Sequence, residues 1–316
     1  MSNNGLAIEA TGLVKRFGEQ VLAVNGVDLA IEKNTIYALL GPNGAGKTTT
    51  INMLTTLLEP TEGTARVAGF DVVKQANEVR RSIGVTFQET TLDAELTGRQ
   101  ALNYHARLYG MSKEKRQSKI KELLALVELE DAADRIISTY SGGMKRRLEL
   151  IRGLMTDPEV LFLDEPTLGL DPQSRARIGD YIVELKENRG MSVLLTTHYM
   201  DEAEKLSDNV AIIDHGKILT EGKPGELVDR MGADVITVAG QGNREKFIAN
   251  VDELPCCEMV TSGDGIIQIG VDSGSRRLVE IISIANQADF IIEDISVAKP
   301  SLGDVFLKFT GRQFRD

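Results

Sequence analysis

The sequence predicts an α/β fold, and three observations carry that prediction. Short continuous apolar runs occur at 160–163, 193–195 and 210–213. A helical pattern over 174–186 separates the first two, and strands that are buried on both faces and alternate with helices are typical of a parallel sheet. The third observation is a glycine-rich segment, GPNGAGKTTT, which begins directly after another apolar run. We therefore expect a sheet whose strand ends face a ligand crevice.

The glycine-rich segment at 41–50 matches the pattern G-x-x-x-x-G-K-[ST], between the apolar run 36–40 and a helical pattern over 48–58. This context predicts a P-loop NTPase core that binds a nucleoside triphosphate. The glycines allow consecutive amide N–H groups to converge on one anion, and Lys47 supplies a charge for the β- and γ-phosphates. The Thr48 hydroxyl is placed to bind Mg²⁺. The nucleotide-binding residues predicted here are Gly41, Asn43, Gly44, Gly46, Lys47, Thr48 and Thr49.

Length and composition predict a soluble protein of more than one domain. The chain has 316 residues, of which 42% are hydrophobic and 26% are charged, and that length suggests roughly two domains. Its net charge of −11 argues against a nucleic-acid partner. No apolar run approaches the roughly 18 residues that span a bilayer, and the N-terminus lacks the blocks of a signal peptide. We therefore expect a cytoplasmic location. Cys256 and Cys257 are adjacent, which is typical of structural cysteines rather than of a metal site.

The pattern of elements divides the chain into a nucleotide-binding domain at 1–222 and a small C-terminal α/β domain at 223–316. Alternating apolar stretches over 7–36 predict an antiparallel β layer in the first domain. The segment 97–129 is expected to be helical throughout, as part of a helical insert at about 90–155. In the second domain we expect strands at 235–238, 266–271 and 290–297, with a helix around 276–285.

Two consecutive carboxylates, Asp164 and Glu165, end an apolar run in VLFLDEP. A strand that ends there points these side chains into the same crevice as the phosphate loop. Asp164 is the expected acidic partner of Mg²⁺, and Glu165 is expected to accept a proton from the attacking water or to orient it. General-base assistance of this kind contributes about 10² to 10⁴ in rate. The alternative, a solvated acidic turn, is disfavoured by the apolar run before the pair and by Pro166 after it.

A serine and two glycines precede a helical pattern in YSGGMKRRLEL, residues 140–150. Ser141 could cap that helix by accepting a hydrogen bond from a free N–H group. The same helix N-terminus could instead bind an anion, because its dipole favours negative charge and the glycines let a phosphate approach the backbone. The triplet alone does not decide between these two interpretations.

Taken in order, these motifs resemble those of the ATP-binding cassette (ABC) proteins over nearly all of residues 7–222. GPNGAGKTT is similar to the phosphate loop of that family, YSGGMKRR to its signature, and VLFLDEP to its acidic strand, with GLD following at 169–171. Gln88 in VTFQE resembles the family's lone glutamine, and His198 in LLTTHYMDEAE resembles its switch histidine. Phe17 in KRFG resembles the aromatic residue that stacks on adenine.

The resemblance implies that two cassettes sandwich two ATP molecules, each held between the phosphate loop of one chain and the signature of the other. Ser141 and Gly143 would then contact the γ-phosphate of the partner's nucleotide, with Gly142 among the binding residues. Gln88 would touch Mg²⁺ or the attacking water, and His198 would hydrogen-bond the γ-phosphate. The expected second cassette is a copy of this chain, with a paralogue as the alternative.

The sequence departs from the family pattern at three positions. Tyr140 and Met144 stand where the signature usually has Leu and Gln, and Phe17 stands where Tyr is more usual. The serine and glycines of the signature are intact, so we still expect hydrolysis. The C-terminal stretch ISVAKPSLGDVFLKFTG, 295–311, resembles the ending of cassettes in drug-resistance exporters of the daunorubicin type.

The motifs and the resemblance together predict the ATP-hydrolysing subunit of an export-type ABC transporter. Such a subunit drives a separate integral-membrane permease from the cytoplasmic face, and drugs or other hydrophobic compounds are the expected cargo. The alternative is a soluble ABC-type ATPase that acts on ribosomes or chromosomes, although this chain lacks the long coiled coil or the second cassette of those proteins. A P-loop kinase or a switch GTPase accounts for neither the SGG and DEP motifs nor the histidine.

Overall fold

The computed structural model describes residues 5–18, 20–263 and 265–310. Residues 1–4 and 311–316, at the outer limits of the two predicted domains, lie outside the described residues, and so does Gly311 at the end of the C-terminal motif.

Ten strands and seven helices are described as far as residue 222. In chain order they are β1 (Leu6–Phe17), β2 (Val21–Glu32), β3 (Ile36–Leu40), α1 (Lys47–Leu54), β4 (Glu62–Val67), β5 (Phe70–Asp71), α2 (Ala76–Ser82), β6 (Ile83–Thr86), α3 (Gly98–Leu108), α4 (Lys113–Leu126), α5 (Gly142–Gly153), β7 (Val160–Asp164), α6 (Pro172–Arg189), β8 (Ser192–Thr197), α7 (Met200–Leu206), β9 (Asn209–Asp214) and β10 (Lys217–Gly222). The elements that follow are α8 (Pro224–Asp229), β11 (Asp234–Gly242), α9 (Arg244–Asp252), β12 (Cys257–Gly263), β13 (Ile266–Val271), α10 (Gly274–Gln287), β14 (Phe290–Ala298) and α11 (Leu302–Thr310).

The described chain forms two compact units. The first runs as far as His198 and resumes at Leu206–Ile218, while the second comprises Tyr199–Lys205 and the chain from Leu219 onward. The predicted domain limits at 1–222 and 223–316 therefore stay a prediction, since the compact units divide at slightly different residues.

A parallel sheet lies at the centre of the first unit. Its five parallel strands have the order β9-β3-β8-β7-β6. Leu40 at the end of β3 pairs with Thr197 at the end of β8, and Asp164 at the end of β7 pairs with Thr196. This register brings the phosphate loop, which follows β3, and the acidic pair, which follows β7, to one edge of the sheet. The predicted α/β fold is confirmed.

An antiparallel layer, also predicted, packs beside this sheet in the order β2-β1-β4-β5. Inward-facing residues such as Leu13, Val24 and Val67 are buried in a core that also contains Ile51 of α1. Removing apolar surface from water at about 25 cal/mol per Å² is the main force that holds such layers together. The packing places β2 next to the start of α1.

The helical insert contains two helices where the sequence suggested one continuous helix over 97–129, and that prediction is wrong. α3 ends at Leu108 and α4 begins at Lys113. Between them Gly110 has a φ of 70°, a left-handed conformation that costs glycine little. The Ser112 hydroxyl then caps α4 by accepting a hydrogen bond from the Lys115 amide at 3.3 Å. The predicted helix at 48–58 is also shorter, since α1 ends at Leu54.

The second unit contains a four-stranded antiparallel sheet with the order β12-β13-β11-β14. The chain order β11-α9-β12-β13-α10-β14 and this strand order together define a split βαβ, or ferredoxin-like, arrangement. Side chains from α9 and α10, including Phe247 and Ile281, pack on the sheet over Ile236 and Ile269. The sequence indicated β11, β13, β14 and α10 but missed β12, α8, α9 and α11.

Neither unit contains a membrane-spanning element among the residues that the structure describes, because none of their helices is long and apolar enough to cross a bilayer. Both cysteines are free thiols: Cys256 is buried and Cys257 is half-buried. Burial raises the pKa of both thiols.

Candidate functional site

The phosphate loop, residues 41–48, connects β3 to α1. Two of its glycines adopt left-handed backbone conformations. Gly44 and Gly46 have φ values of 81° and 105°, in the region that favours glycine. A Cβ atom on Gly46 would lie 2.5 Å from the Ala23 carbonyl oxygen, and one on Gly41 would lie 2.3 Å from the Ile213 carbonyl oxygen. Backbone of this kind forms a concave nest of N–H groups that suits an anion.

Lys47 lies at the base of this loop and is only 5% exposed. Its ammonium group donates to the Gly41 carbonyl at 2.6 Å and to the Pro42 carbonyl at 3.1 Å. It also forms an ion pair with Glu165 Oε1 at 3.2 Å. Burial lowers the pKa of Lys47, while the charges of Glu165 and Asp164 oppose that shift.

Glu165 is the centre of the site and occupies a strained turn directly after β7. Its φ of 47° is left-handed, which is unusual for a residue with a long side chain. The Glu165 amide donates to the Thr196 carbonyl at 3.2 Å and to the Thr196 hydroxyl at 3.0 Å. Its other carboxylate oxygen, Oε2, lies 3.1 Å from His198 Nδ1. The structure thus brings together Lys47, Glu165 and His198, which come from three separate motifs.

Asp164 lies one residue earlier and is 1% exposed. The Thr196 hydroxyl donates to Asp164 Oδ1 at 2.6 Å, so this one hydroxyl holds both members of the acidic pair. Thr196 was not identified from the sequence. The only available signal was its place in the histidine motif LLTTHYMDEAE, two residues before His198.

The predicted metal ligands are Thr48, Gln88 and Asp164, which offer a hydroxyl, an amide and one carboxylate. Magnesium is usually bound by one or two carboxylates together with waters and substrate phosphates, so this oxygen donor set fits Mg²⁺. In the part of the chain that the structure describes, no group of three or more His, Cys, Asp or Glu residues could hold a metal ion. Thr48 and Gln88 are exposed, and Gln88 lies in the loop that follows β6.

Two further predicted residues present exposed surfaces. Asn43 is exposed in the phosphate loop, and Thr49 is half-buried in α1. Phe17 at the end of β1 is 43% exposed, and the Lys15 ammonium group lies 5.5 Å from the centre of its ring. An exposed aromatic face of this kind is suited to stacking on a base.

The SGG triplet lies at the start of α5, where the structure shows the predicted helix cap. The Ser141 hydroxyl accepts a hydrogen bond from the Met144 amide at 3.2 Å, so Ser141 caps the helix. Ser141 and Gly142 are exposed. A Cβ atom on Gly143 would lie 2.7 Å from the Ser174 hydroxyl, so a larger residue there would have to displace that side chain. The cap does not exclude an anion at the same helix end.

Tyr140, which departs from the family signature, is buried rather than exposed at the site. Its hydroxyl donates to the Ala132 carbonyl at 2.6 Å. A Cβ atom on Gly98 would lie 2.5 Å from the same hydroxyl oxygen. Tyr140 therefore anchors the segment before α5 to the helical insert.

Comparison with known proteins identifies the family. The family model described as "ABC transporter" matches residues 24–168. The chain is 41% identical to the daunorubicin/doxorubicin resistance ATP-binding protein DrrA of Streptomyces peucetius, over 98% of this chain and 94% of that protein. The chain belongs to the ABC transporter family. The resemblance inferred from the motifs is thereby confirmed.

The chain is also similar to an export ATP-binding protein and to a solved ATP-binding cassette. It is 43% identical to the Nod factor export ATP-binding protein I of Burkholderia lata, over 98% of both chains. A solved dimeric structure of a post-hydrolysis state of the ATP-binding cassette MJ0796, bound to ADP and Pi, matches with a TM-score of 0.63 and 27% identity. That match covers 68% of this chain and 98% of the other.

Proposed function

We propose that this ABC protein binds and hydrolyses ATP and thereby drives export through a separate integral-membrane permease. The observation that carries the proposal is the placement of the Glu165 carboxylate, 3.2 Å from Lys47 and 3.1 Å from His198, at the edge of the sheet where the phosphate loop begins. Relatives that are 41% and 43% identical are named for drug resistance and for Nod factor export, which supports an exporter. A drug or another hydrophobic compound is the proposed cargo.

In the proposed reaction the phosphate loop and Lys47 hold the phosphates, and Glu165 accepts a proton from the attacking water. The contact with His198 orients the Glu165 carboxylate, and His198 also lies at the strand end where it would reach the γ-phosphate. Thr48, Asp164 and Gln88 would hold Mg²⁺, which when bound neutralises developing charge on the phosphates. Phe17 is proposed to stack on adenine.

The proposed active form is a dimer of two copies of this chain. Ser141 and Gly142 are exposed at the start of α5, so a nucleotide on a second chain could reach them. The structural relative MJ0796 is described as a dimer, which supports this arrangement. We assign nucleotide binding to the domain at 1–222, and we assign an accessory role to the ferredoxin-like domain at 223–316. The dimer is proposed to lie on the cytoplasmic face of the membrane, attached through the permease.

Purification of the full chain from detergent-solubilised native membranes tests the transport role. Recovery of a multi-spanning membrane protein in constant proportion, without phosphate-loop motifs of its own, is the expected result. Cytosolic protein from the same cells, purified in parallel, controls for non-specific capture. Recovery with ribosomal components and no membrane protein would instead favour a soluble ABC-type ATPase.

A further inference from the structure

The signature helix α5 carries a buried arginine that the site described above does not use. Arg146 is 8% exposed, and each of its five N–H donors has an acceptor within hydrogen-bonding distance. The acceptors are the carbonyl oxygens of Pro166 at 2.7 Å, Phe87 at 2.5 Å, Asp164 at 2.9 Å and Glu165 at 2.9 Å, and Glu149 Oε2 at 3.2 Å. A planar guanidinium group fixes the directions of its five donors, so it sets the positions of all these acceptors together.

Three of these carbonyls belong to the turn that aims Glu165. Glu165 has a left-handed φ of 47°, a conformation that persists only where its surroundings enforce it. Thr196 holds the amide of this turn from β8, and Arg146 holds its carbonyls from α5. The guanidinium group therefore fixes the backbone from which the Glu165 carboxylate reaches Lys47 and His198.

The remaining contacts reach the loop that contains Gln88. Arg146 donates a hydrogen bond to the carbonyl of Phe87, the residue before Gln88. Glu149 is 1% exposed and accepts a hydrogen bond at 2.9 Å from the amide of Thr91, which lies after Gln88. The two side chains lie one turn apart on α5 and pair with each other at 3.2 Å. Together they join the loop at 87–91 to the turn at 164–166.

We propose that Arg146, held by Glu149, is a positioning residue for ATP hydrolysis that fixes the Glu165 carboxylate relative to the glutamine loop at 87–91. This inference rests on the proposed function. The hydrogen bonds of Arg146 reach carbonyls of the turn at 164–166 and of the loop at 87–91, outside the phosphate loop, so its loss is expected to affect the chemical step rather than nucleotide binding.

Steady-state hydrolysis by the full chain tests this inference, with ATP affinity and thermal stability measured on the same samples. Arg146→Gln is expected to lower kcat on the order of 10²-fold, the cost of misplacing a reacting group by about 1 Å. The KM and the Kd for ATP are expected to stay at wild-type values. Arg146→Lys, which retains the charge but has three donors in place of five, is expected to recover part of the lost kcat. Arg147→Gln is the matched control on the same helix, because Arg147 binds the Val127 carbonyl instead.

The outcomes separate this inference from the proposed function. A folded Arg146→Gln protein that has a lower melting temperature but a wild-type kcat would overturn the positioning role alone. A wild-type chain that binds ATP without hydrolysing it would overturn the proposed hydrolysis and this inference with it. If Arg146→Gln does not fold, the double variant Arg146→Gln/Glu149→Gln removes the unpaired buried charge and carries the same expectation.

Discussion

Glu165 combines the carboxylate that we propose as proton acceptor with a backbone conformation that its side chain disfavours. Left-handed backbone costs a residue with a side chain roughly 1–2 kcal/mol, so the turn depends on the hydrogen bonds that Thr196 and Arg146 supply. Those bonds leave both carboxylate oxygens facing Lys47 and His198. A residue held in this way is preorganised, because little further ordering is needed when the reaction begins.

Replacing Glu165 by Gln preserves the shape of this side chain and removes its ability to accept a proton. We expect Glu165→Gln to bind ATP with near wild-type affinity and to hydrolyse it at least about a hundredfold more slowly. Single-turnover hydrolysis and nucleotide binding, measured on one preparation, check both parts. Glu128→Gln, at an exposed ion pair with Arg177, is the control and should leave both unchanged. Near-normal turnover in Glu165→Gln would place the base elsewhere.

His105 on α3 makes the stability of the helical insert depend on pH. Burial, together with the nearby charge of Arg152, lowers its pKa from 6.5 to about 4. Because the imidazole binds a proton more readily in the unfolded chain, protonation favours unfolding. The contribution of His105 to the free energy of unfolding is therefore complete above pH 6.5 and is lost as the pH falls toward about 4. The slope is at most about 1.4 kcal/mol per pH unit, and partial exposure of the ring reduces it.

His105→Gln should therefore flatten the acid side of the stability curve. Urea unfolding of both proteins at pH 7.5 and at pH 4.5 measures the effect as a difference of differences, so other titrating groups cancel. We expect the wild type to lose more stability than the variant between these two pH values. Equal losses would show that the ring is solvated in the folded state.

The sequence predicted the parts of this site that lie in contiguous motifs. The phosphate loop, the acidic pair and His198 could be placed because their neighbours along the chain reveal strand ends and helix starts. Thr196 and Arg146 could not, because the partners of each lie in a turn that is distant from it in the sequence. A threonine in an apolar strand and an arginine in a basic helix do not by themselves identify such partners.

The segment before the signature helix α5 is held in place by Tyr140, where the family pattern usually has Leu. The hydrogen bond from the Tyr140 hydroxyl to the Ala132 carbonyl is buried, so its loss would leave that carbonyl without this donor. Tyr140→Phe should destabilise the protein by about 1 kcal/mol. Equilibrium unfolding checks this value, and Tyr104→Phe at a 53% exposed position should change nothing. Equal effects of both substitutions would mean that the hydroxyl does not anchor the segment.

The sequence did not predict the break between helices α3 and α4. The apolar stripe formed by Ile120, Leu123 and Leu124 lies wholly within α4, so it did not reveal where α3 ends. The break was encoded by Gly110 and by the capping residue Ser112, two local signals that outweigh the amphipathic pattern. β12 was missed for another reason: it lies at the edge of its sheet, and several of its residues are polar, so it lacks a clear apolar alternation.

For the whole molecule, the proposed sandwich makes activity depend on concentration. If each site needs the signature of a second chain, hydrolysis per chain should rise with protein concentration in dilute solution and then level off. Serial dilution of the wild type, with activity measured at each step, checks this. Ser141→Arg, which places a bulky charge where the second nucleotide would bind, should remove the rise while preserving ATP binding by the phosphate loop. Constant specific activity, with no dimer in the presence of ATP by size exclusion, would contradict the sandwich for the isolated chain.

The fold of the second unit does not by itself indicate a function. Its core of Ile, Val and Phe side chains belongs to a ferredoxin-like arrangement, yet this fold hosts many unrelated activities. Its strands β11, β13 and β14 could be anticipated from their apolar residues. Their order in the sheet could not, because every pairing is antiparallel and many arrangements satisfy the same pattern.

The two thiols in this unit have a practical consequence for spectroscopy on the protein. Thiol-directed probes react with the thiolate, and the raised pKa values of Cys256 and Cys257 keep that form scarce at neutral pH. A new cysteine at a well-exposed position, such as Leu108 at 84% exposure, would react much faster than the native pair. A fluorophore or spin label is therefore expected to react first at the introduced cysteine, with Cys256 and Cys257 left in place.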